Sequence, residues 1–374
     1  MQTSPEFALV IACCRRSAGR DAAVRACASV AIDWDLVLAV ARRHRVEGLV
    51  HDALRPVELP PAIRAAFAHA ATGIARANLA FAAAALRLHD GFGDIPHLFV
   101  KGVTLDMLAY GTLALKRASD IDVVADAAGY ARASAVLEGQ GYACIFPGPG
   151  RSAQEIAAWT LRRKHTTWTR ADVMIELHAH LVDNPHLLPT LSARSPAQMV
   201  AMAPGRGLPT LERDALFAYL CVHGAAHAWS RLKWLADLDA FMGHADEHEL
   251  ARLHHAAVAL GAGRCSAQGL LLCARLFGRD LGPALLAELR RDPATRLLVR
   301  TARASMTRGG PAAELDAQPL GTVLIHLSHF WLARGWRYKA AEASRKLFAT
   351  GDAQDARRPL RTIVRWLGSR LRNG

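Results

Sequence analysis

Two aspartates separated by one residue, in Arg117-Ala-Ser-Asp-Ile-Asp-Val-Val124, are where residue type and spacing first suggest chemistry in this 374-residue chain. The run reads as a β-strand, in which alternate side chains share a face. Ile121 and Val123 then point into a core, and Asp120 and Asp122 point out of it, about 7 Å apart at twice the strand rise. Two carboxylates so placed can hold a hard divalent cation such as Mg²⁺, which takes oxygen ligands from one or two carboxylates and from substrate phosphates. A second run, Asp172-Val-Met-Ile-Glu-Leu-His-Ala-His180, repeats the alternation. Val173, Ile175 and Leu177 face inward, and Met174, Glu176, His178 and His180 face the other way. Glu176 is thus the candidate third carboxylate of a two-metal site, which activates an attacking oxygen and stabilises a leaving one.

Cations stand near these acids. Lys101-Gly102 follows a short apolar run, and a glycine turn lets backbone N–H groups approach a phosphate. Arg117 precedes Asp120 by three positions. The plainer readings are a solvated Asp-x-Asp strand end and an Arg117–Asp120 ion pair. Further along, Lys233 and Asp237 stand four apart, as helical neighbours do. They read either as a plain ion pair or as a phosphate-reaching lysine oriented by its aspartate. His223 and His227 also share a helical face, and with His178 and His180 they admit a zinc reading. The missing Glu after His223 rules out the HExxH metalloprotease pattern.

The elements that must position these residues follow from periodicity. Residues up to about 90 read as helices, among them Trp34–Val46 and a long alanine-rich helix from about Pro61 to His89, closed by Gly91 and Gly93. His97–Val100 and Asp120–Val124 read as strands, Val103–Tyr110 and Tyr130–Glu138 as helices, and Lys164–Thr169 with Val173–His180 as a hairpin. Helical character returns after Asn184-Pro185 and persists, with breaks at Gly205–Pro209 and Gly309–Pro311. The segment from about 95 to 182 is thus expected to be the only mixed part of the chain.

Composition sets the limits. The chain is 52% hydrophobic and 21% charged, which excludes a disordered protein. The 46 Lys+Arg against 33 Asp+Glu give +13, which permits nucleotides, nucleic acid or an anionic membrane surface as partners. Nucleic acid is not favoured, because aromatics are only 6% and no RNA-binding motif is present. Seven cysteines without a CxxC pair argue against a disulfide framework or a zinc ribbon. No stretch reaches the length of a transmembrane helix and the N-terminus makes a poor signal peptide, so a cytoplasmic location is expected. Asp355–Gly374 carries six arginines against one aspartate, with Leu360, Ile363, Val364, Leu367 and Leu371 on one helical face. It reads as a terminal helix packed on the bundle, or one in peripheral contact with an anionic membrane.

Taken in order, Lys101-Gly102, Arg117-x-x-Asp120-x-Asp122 and Ile175-Glu176-Leu177-His178 resemble the uncharacterised nucleotidyltransferase family of the DNA polymerase beta-like superfamily. Leu220-Cys-Val-His-Gly-Ala-Ala-His-Ala-Trp-Ser-Arg-Leu-Lys-Trp-Leu-Ala-Asp237 is similar to that family's helical signature, and Trp34–Leu49 to its N-terminal helical element. The resemblance covers roughly residues 30 to 245. It implies an α+β fold, mostly helical, with a small mixed β-sheet core at 93–182 between an N-terminal helical region, 1–92, and a C-terminal one, 183–374. It implies Mg²⁺- or Mn²⁺-dependent transfer of a nucleoside monophosphate from an NTP, with ATP the expected donor and pyrophosphate the leaving group. The acceptor, a small molecule, a peptide, a protein or an RNA end, stays open. Asp120, Asp122 and Glu176 would be the catalytic and metal-binding acids. Lys101, Gly102, Arg117, His178, Arg231, Lys233 and Asp237 would line the nucleotide. The superfamily's usual Gly-Ser or Gly-Gly turn is Gly102-Val103 here, so Thr104 or Ser119 is left to supply a phosphate-binding hydroxyl. The alternative is a catalytically inactive member that binds a nucleotide or a partner.

Overall fold

The computed structural model describes residues 4–16, 19–160, 163–318 and 321–348, so the basic segment 355–374 lies outside the described residues. The N-terminal helices are α1 (Pro5–Cys14), α2 (Arg20–Ala28), α3 (Trp34–His44) and α4 (Glu47–Ala53). Their starts are chemically marked. The Ser4 hydroxyl accepts from Phe7 N–H, and the Asp33 carboxylate accepts from Leu36 N–H at 3.0 Å, each satisfying a donor that has no partner within the helix. The alanine-rich α5 (Pro61–Phe92) begins on a proline pair and continues through Gly91 before Gly93, at φ +54°, ends it.

The mixed core follows: β1 (His97–Phe99), α6 (Val103–Tyr110), β2 (Ile121–Ala125), α7 (Tyr130–Gly139), β3 (Ala143–Phe146), α8 (Ala153–Thr160), β4 (His165–Arg170) and β5 (Val173–His178). The strands form one sheet in the order β1-β2-β5-β4-β3. β2 runs parallel to β5, and the other neighbours are antiparallel. One face of the sheet carries Ile121, Val123, Ile175 and Leu177 against Phe81, Leu88 and Phe92 of α5 and Leu137 of α7. Burying a side chain of this size contributes about 1.5–3 kcal/mol. The other face carries Asp122, Glu176 and His178, so the alternation read from the sequence places the acids as expected.

The segment after Asn184 departs from expectation. It is not uniformly helical: β6 (Ala197–Ala203) and β7 (Arg206–Leu211) form a two-stranded hairpin turning at Gly205, φ +71°, and packing on β1, α5 and α6. The mixed part of the chain therefore reaches residue 211. Helices complete the molecule: α9 (Arg213–Ala226), α10 (Leu232–Met242), α11 (Glu247–Ala259), α12 (Gly263–Phe277), α13 (Pro283–Arg290), α14 (Pro293–Thr307), α15 (Val323–Ser328) and α16 (Trp336–Phe348). The Leu220–Asp237 block is two helices, with Arg231 at the N-cap position of α10 and not inside a helix. Ala228 and Trp229 take positive φ between them, and Trp229 N–H closes on Gly224 C=O at 2.8 Å. The Trp229 ring packs where a Cβ on residue 224 would stand, 2.4 Å from it, so only glycine fits there. All seven cysteines are free thiols. No helix among the described residues is long and apolar enough to cross a membrane.

Candidate active site

The parallel β2–β5 ladder sets Asp122 directly beside Glu176 and Val124 beside His178. Asp122 is 2% exposed. Its Oδ1 meets Lys101 Nζ at 2.9 Å and His178 Nε2 at 3.0 Å. His178 Nε2 is also 3.2 Å from Glu176 Oε2. Asp120 lies just before β2, on the wall of a cleft of about 740 Å³ that also takes in Lys101, Asp122, Glu176 and Lys233. α9 brings Tyr219 and His223 to it, and α16 closes the far side with Glu342 and Arg345.

Gly102 joins β1 to α6 at φ +60°, ψ −131°, and a Cβ there would stand 3.3 Å from the Asp120 carbonyl oxygen. The glycine thus permits a close approach between the Lys101 turn and the strand bearing the acids. Thr104 does not supply the missing hydroxyl. It is buried and donates to the carbonyls of Phe99 and Lys101. Ser119 remains on the cleft wall.

Two sequence motifs are physically one joint. His44 Nδ1, at the end of α3, accepts from Leu232 N–H at 3.1 Å and so caps α10. Arg43 donates to Ser230 C=O at 2.6 Å, and Arg231 donates back to Arg43 C=O at 2.9 Å. The Trp34–Leu49 element and the 220–237 signature fix each other, and Lys233 emerges beside the joint. Residues 31–278 match the model of a family described as an uncharacterised nucleotidyltransferase. The chain belongs to this nucleotidyltransferase family. No curated protein and no solved structure matches it.

In this family member the charges of the cleft are unevenly held. Burial opposes ionisation of Asp122, but the Lys101 ammonium and the His178 hydrogen bond hold its carboxyl well below the usual range. Burial opposes the charge on Lys101 as well, and the Asp122 carboxylate keeps it protonated. Asp120 goes the other way: burial and the Asp122 charge raise it. Burial works against Glu176, but the His178 hydrogen bond together with the nearby His178 and His165 imidazoles lowers the group. Lys233 is brought down to about 8 by burial and by the like charges of Lys116 and Arg45.

These residues fit a divalent cation. Asp122 Oδ2 is buried without a hydrogen-bond partner, and Asp120 has no ion pair among the described residues. Together with Glu176 they offer carboxylate oxygens lining the same cleft.

The remaining residues expected at the nucleotide are arranged differently from the sequence reading. Asp237 does not orient Lys233. It accepts from the Tyr110 hydroxyl at 2.9 Å and pairs with Lys116 at 3.3 Å, and Lys116 in turn pairs with Asp106 at 3.0 Å. Lys233 instead lies 5.4 Å from the centre of the Trp234 ring. Arg117 reaches Glu47, at 3.9 Å, and not Asp120. Arg231 borders the cleft, but its guanidinium is engaged by Glu314 at 2.8 Å. His227 stacks on Trp234 and His223 meets both rings edge-on, and neither joins His178 and His180 in a metal-ligand group among the described residues.

Sequence reasoning missed Lys116, Lys164, His165 and Tyr219 at the site. His165 was within reach. The hairpin turns on Ala171 and Asp172, so its pairs are symmetrical about that turn, and His165 must face His178.

Proposed function

We propose that the protein transfers a nucleoside monophosphate from an NTP, with ATP as the first donor to test, to a hydroxyl or phosphate oxygen of an acceptor. The observation that carries this reading is the convergence of Asp120, Asp122 and Glu176 with Lys101 and Lys233 on one cleft. The acceptor oxygen attacks the α-phosphorus, a new P–O bond forms, the bond to the β-phosphate bridge breaks, and pyrophosphate leaves. The acceptor proton passes to Glu176, which can share it with His178. Lys233 and Arg117 receive the negative charge of the departing pyrophosphate, the role positioned cations play in phosphoryl transfer. Lys101 holds Asp122 in place. Asp120, Asp122 and Glu176 would hold Mg²⁺ or Mn²⁺, whose chemistry there is to neutralise phosphate charge and to acidify the acceptor oxygen.

Thermal shift with each NTP, with and without Mg²⁺ or Mn²⁺, tests the site, and pyrophosphate release tests the reaction. Metal-dependent stabilisation by an NTP should be lost in the Asp120→Asn/Asp122→Asn double variant, along with pyrophosphate release. A fully active double variant would end the assignment. The second reading, nucleotide binding without turnover, is favoured by one observation: Thr104 is committed to backbone carbonyls. It predicts stabilisation by an NTP with no pyrophosphate release for any acceptor.

A further inference from the structure

His165, Glu176 and His178 offer three ligand atoms that all lie within 4.8 Å of one another. His165 Nε2 is 3.8 Å from Glu176 Oε1, and His178 Nε2 is 3.2 Å from Glu176 Oε2. Ligands held about 2.0–2.2 Å from one ion stand roughly 3–3.5 Å apart, so the two histidine–Glu176 spacings are near the edges of a coordination polyhedron and the group as a whole, within 4.8 Å, would close slightly on an ion. The proton count points the same way. His178 Nε2 faces carboxylate oxygens of both Asp122 and Glu176, at 3.0 and 3.2 Å, and one N–H can be directed at only one of them. Asp122 Oδ2, on the neighbouring strand, is buried without a hydrogen-bond partner. A cation between the imidazoles and the Glu176 carboxylate would settle the first of these, and Asp122 Oδ2 stays with the carboxylate site. The β4–β5 register holds the donors rigidly, because His165 and His178 are directly paired and their rings are 5.0 Å apart. His165 and Glu176 open onto the cleft, which gives an ion a way in.

The donor set selects the ion. Two imidazoles and a carboxylate suit Zn²⁺, Mn²⁺, Co²⁺ or Ni²⁺, whereas Mg²⁺ prefers an all-oxygen shell. We infer that His165, Glu176 and His178 bind a divalent first-row transition-metal ion, at a site that shares Glu176 with the proposed carboxylate site but differs from it in donor chemistry. The inference uses the cleft described above but does not require a nucleotide.

The test uses the full chain, stripped with a chelator and held without nucleotide. Zn²⁺ is titrated by calorimetry, and Co²⁺ by its visible absorption, which reports nitrogen ligation. One tight equivalent is expected that excess Mg²⁺ does not displace. His165→Gln and Glu176→Gln should each weaken it at least about tenfold, the loss metal sites show when even a supporting group is changed. Asp120→Asn should leave it in place. His165 lies at the end of β4 on the cleft wall, so its variant is expected to melt like the parent, and Glu176→Gln gives a second reading. No tight equivalent, displacement by Mg²⁺, or unchanged affinity in both variants would overturn the site. If Zn²⁺ binds as described and no NTP does, the metal site stands and the transferase reading falls.

Discussion

Gly102 shows how much of the site depends on one missing atom. Its φ of +60° and the 3.3 Å from an added Cβ to the Asp120 carbonyl leave an alanine both strained and crowded. Gly102→Ala should cost about 1–3 kcal/mol, the usual cost of such backbone strain. It should also displace Asp120, so urea denaturation and pyrophosphate release are expected to fall together. If stability falls alone, the close approach has no catalytic meaning. Lys233 makes a prediction about pH. With its pKa lowered to about 8, it is charged below that pH and loses its charge as pH rises through it. NTP affinity should therefore be strong at neutral pH and decline above about pH 8. Lys233→Arg, whose guanidinium stays protonated, should flatten the profile, and nucleotide titrations across that range decide the matter. At this scale the sequence was informative wherever a side chain's orientation follows from strand alternation, as for Asp122 and Glu176, whereas Asp120 lies in the loop just before β2. The sequence misled where a partner lies far along the chain. Spacing alone offered Asp237 to Lys233, but the fold delivers Lys116 and Tyr110 to it, from positions 121 and 127 residues away in sequence.

At the scale of elements, the loop that carries Arg117 and Asp120 is fastened by a buried network linking α6, α10 and α5. Lys116, 6% exposed, lies between Asp106 and Asp237. Asn78 of α5 donates to the carbonyls of Leu113 and Lys116 and accepts from Ala118 N–H. Burial disfavours the Lys116 charge, but the two carboxylates raise its pKa, so it stays an ammonium. Lys116→Met should leave two buried carboxylates without their cation and cost about 3–5 kcal/mol. Adding Asp106→Asn and Asp237→Asn should recover much of that loss, because neutral amides do not need the ammonium. Denaturation of the single and triple variants measures both steps, and a single variant as stable as the parent would remove the network from this role. Helices and strands with strong periodicity were legible, including β2, β5, α5 and α6. Two features were not. β6 reads Ala-Gln-Met-Val-Ala-Met-Ala, a composition that suits a helix, and it becomes a strand because Gly205 turns it back onto β7 and α6 covers it. The break between α9 and α10 has no proline. It is set by the Trp229 ring seated on Gly224, which is a tertiary contact.

For the molecule as a whole, the sheet shares part of its packing with helices from both ends of the chain. One hydrophobic core runs from Phe7 and Leu9 of α1 through Val124 of β2 and Phe217 of α9 to Leu298 of α14 and Tyr338 of α16. The family match ends at 278, yet segments beyond it bond into the matched region. Arg43, 4% exposed, donates to the carbonyls of Ser305 and Ala313 as well as to that of Ser230. Arg231 is paired with Glu314, and the far wall of the cleft includes His329 and Arg345. Cutting the chain to residues 31–278 would strip α1 from α12 and α14 from the other side of the same helix. It would also strand the buried Arg43 guanidinium with one acceptor in place of three, and a buried donor without a partner costs about 1–3 kcal/mol. The 31–278 fragment should therefore lack the single cooperative melt expected of the full chain, and should bind a hydrophobic dye and fail to gain stability from an NTP. Circular dichroism melts and dye fluorescence on the two chains provide the comparison. A fragment that melts as sharply as the full chain would mean that the flanking helices are attached to a self-sufficient core. In that case the cleft wall from Glu314 onward would be a feature of this chain and not a requirement of the fold.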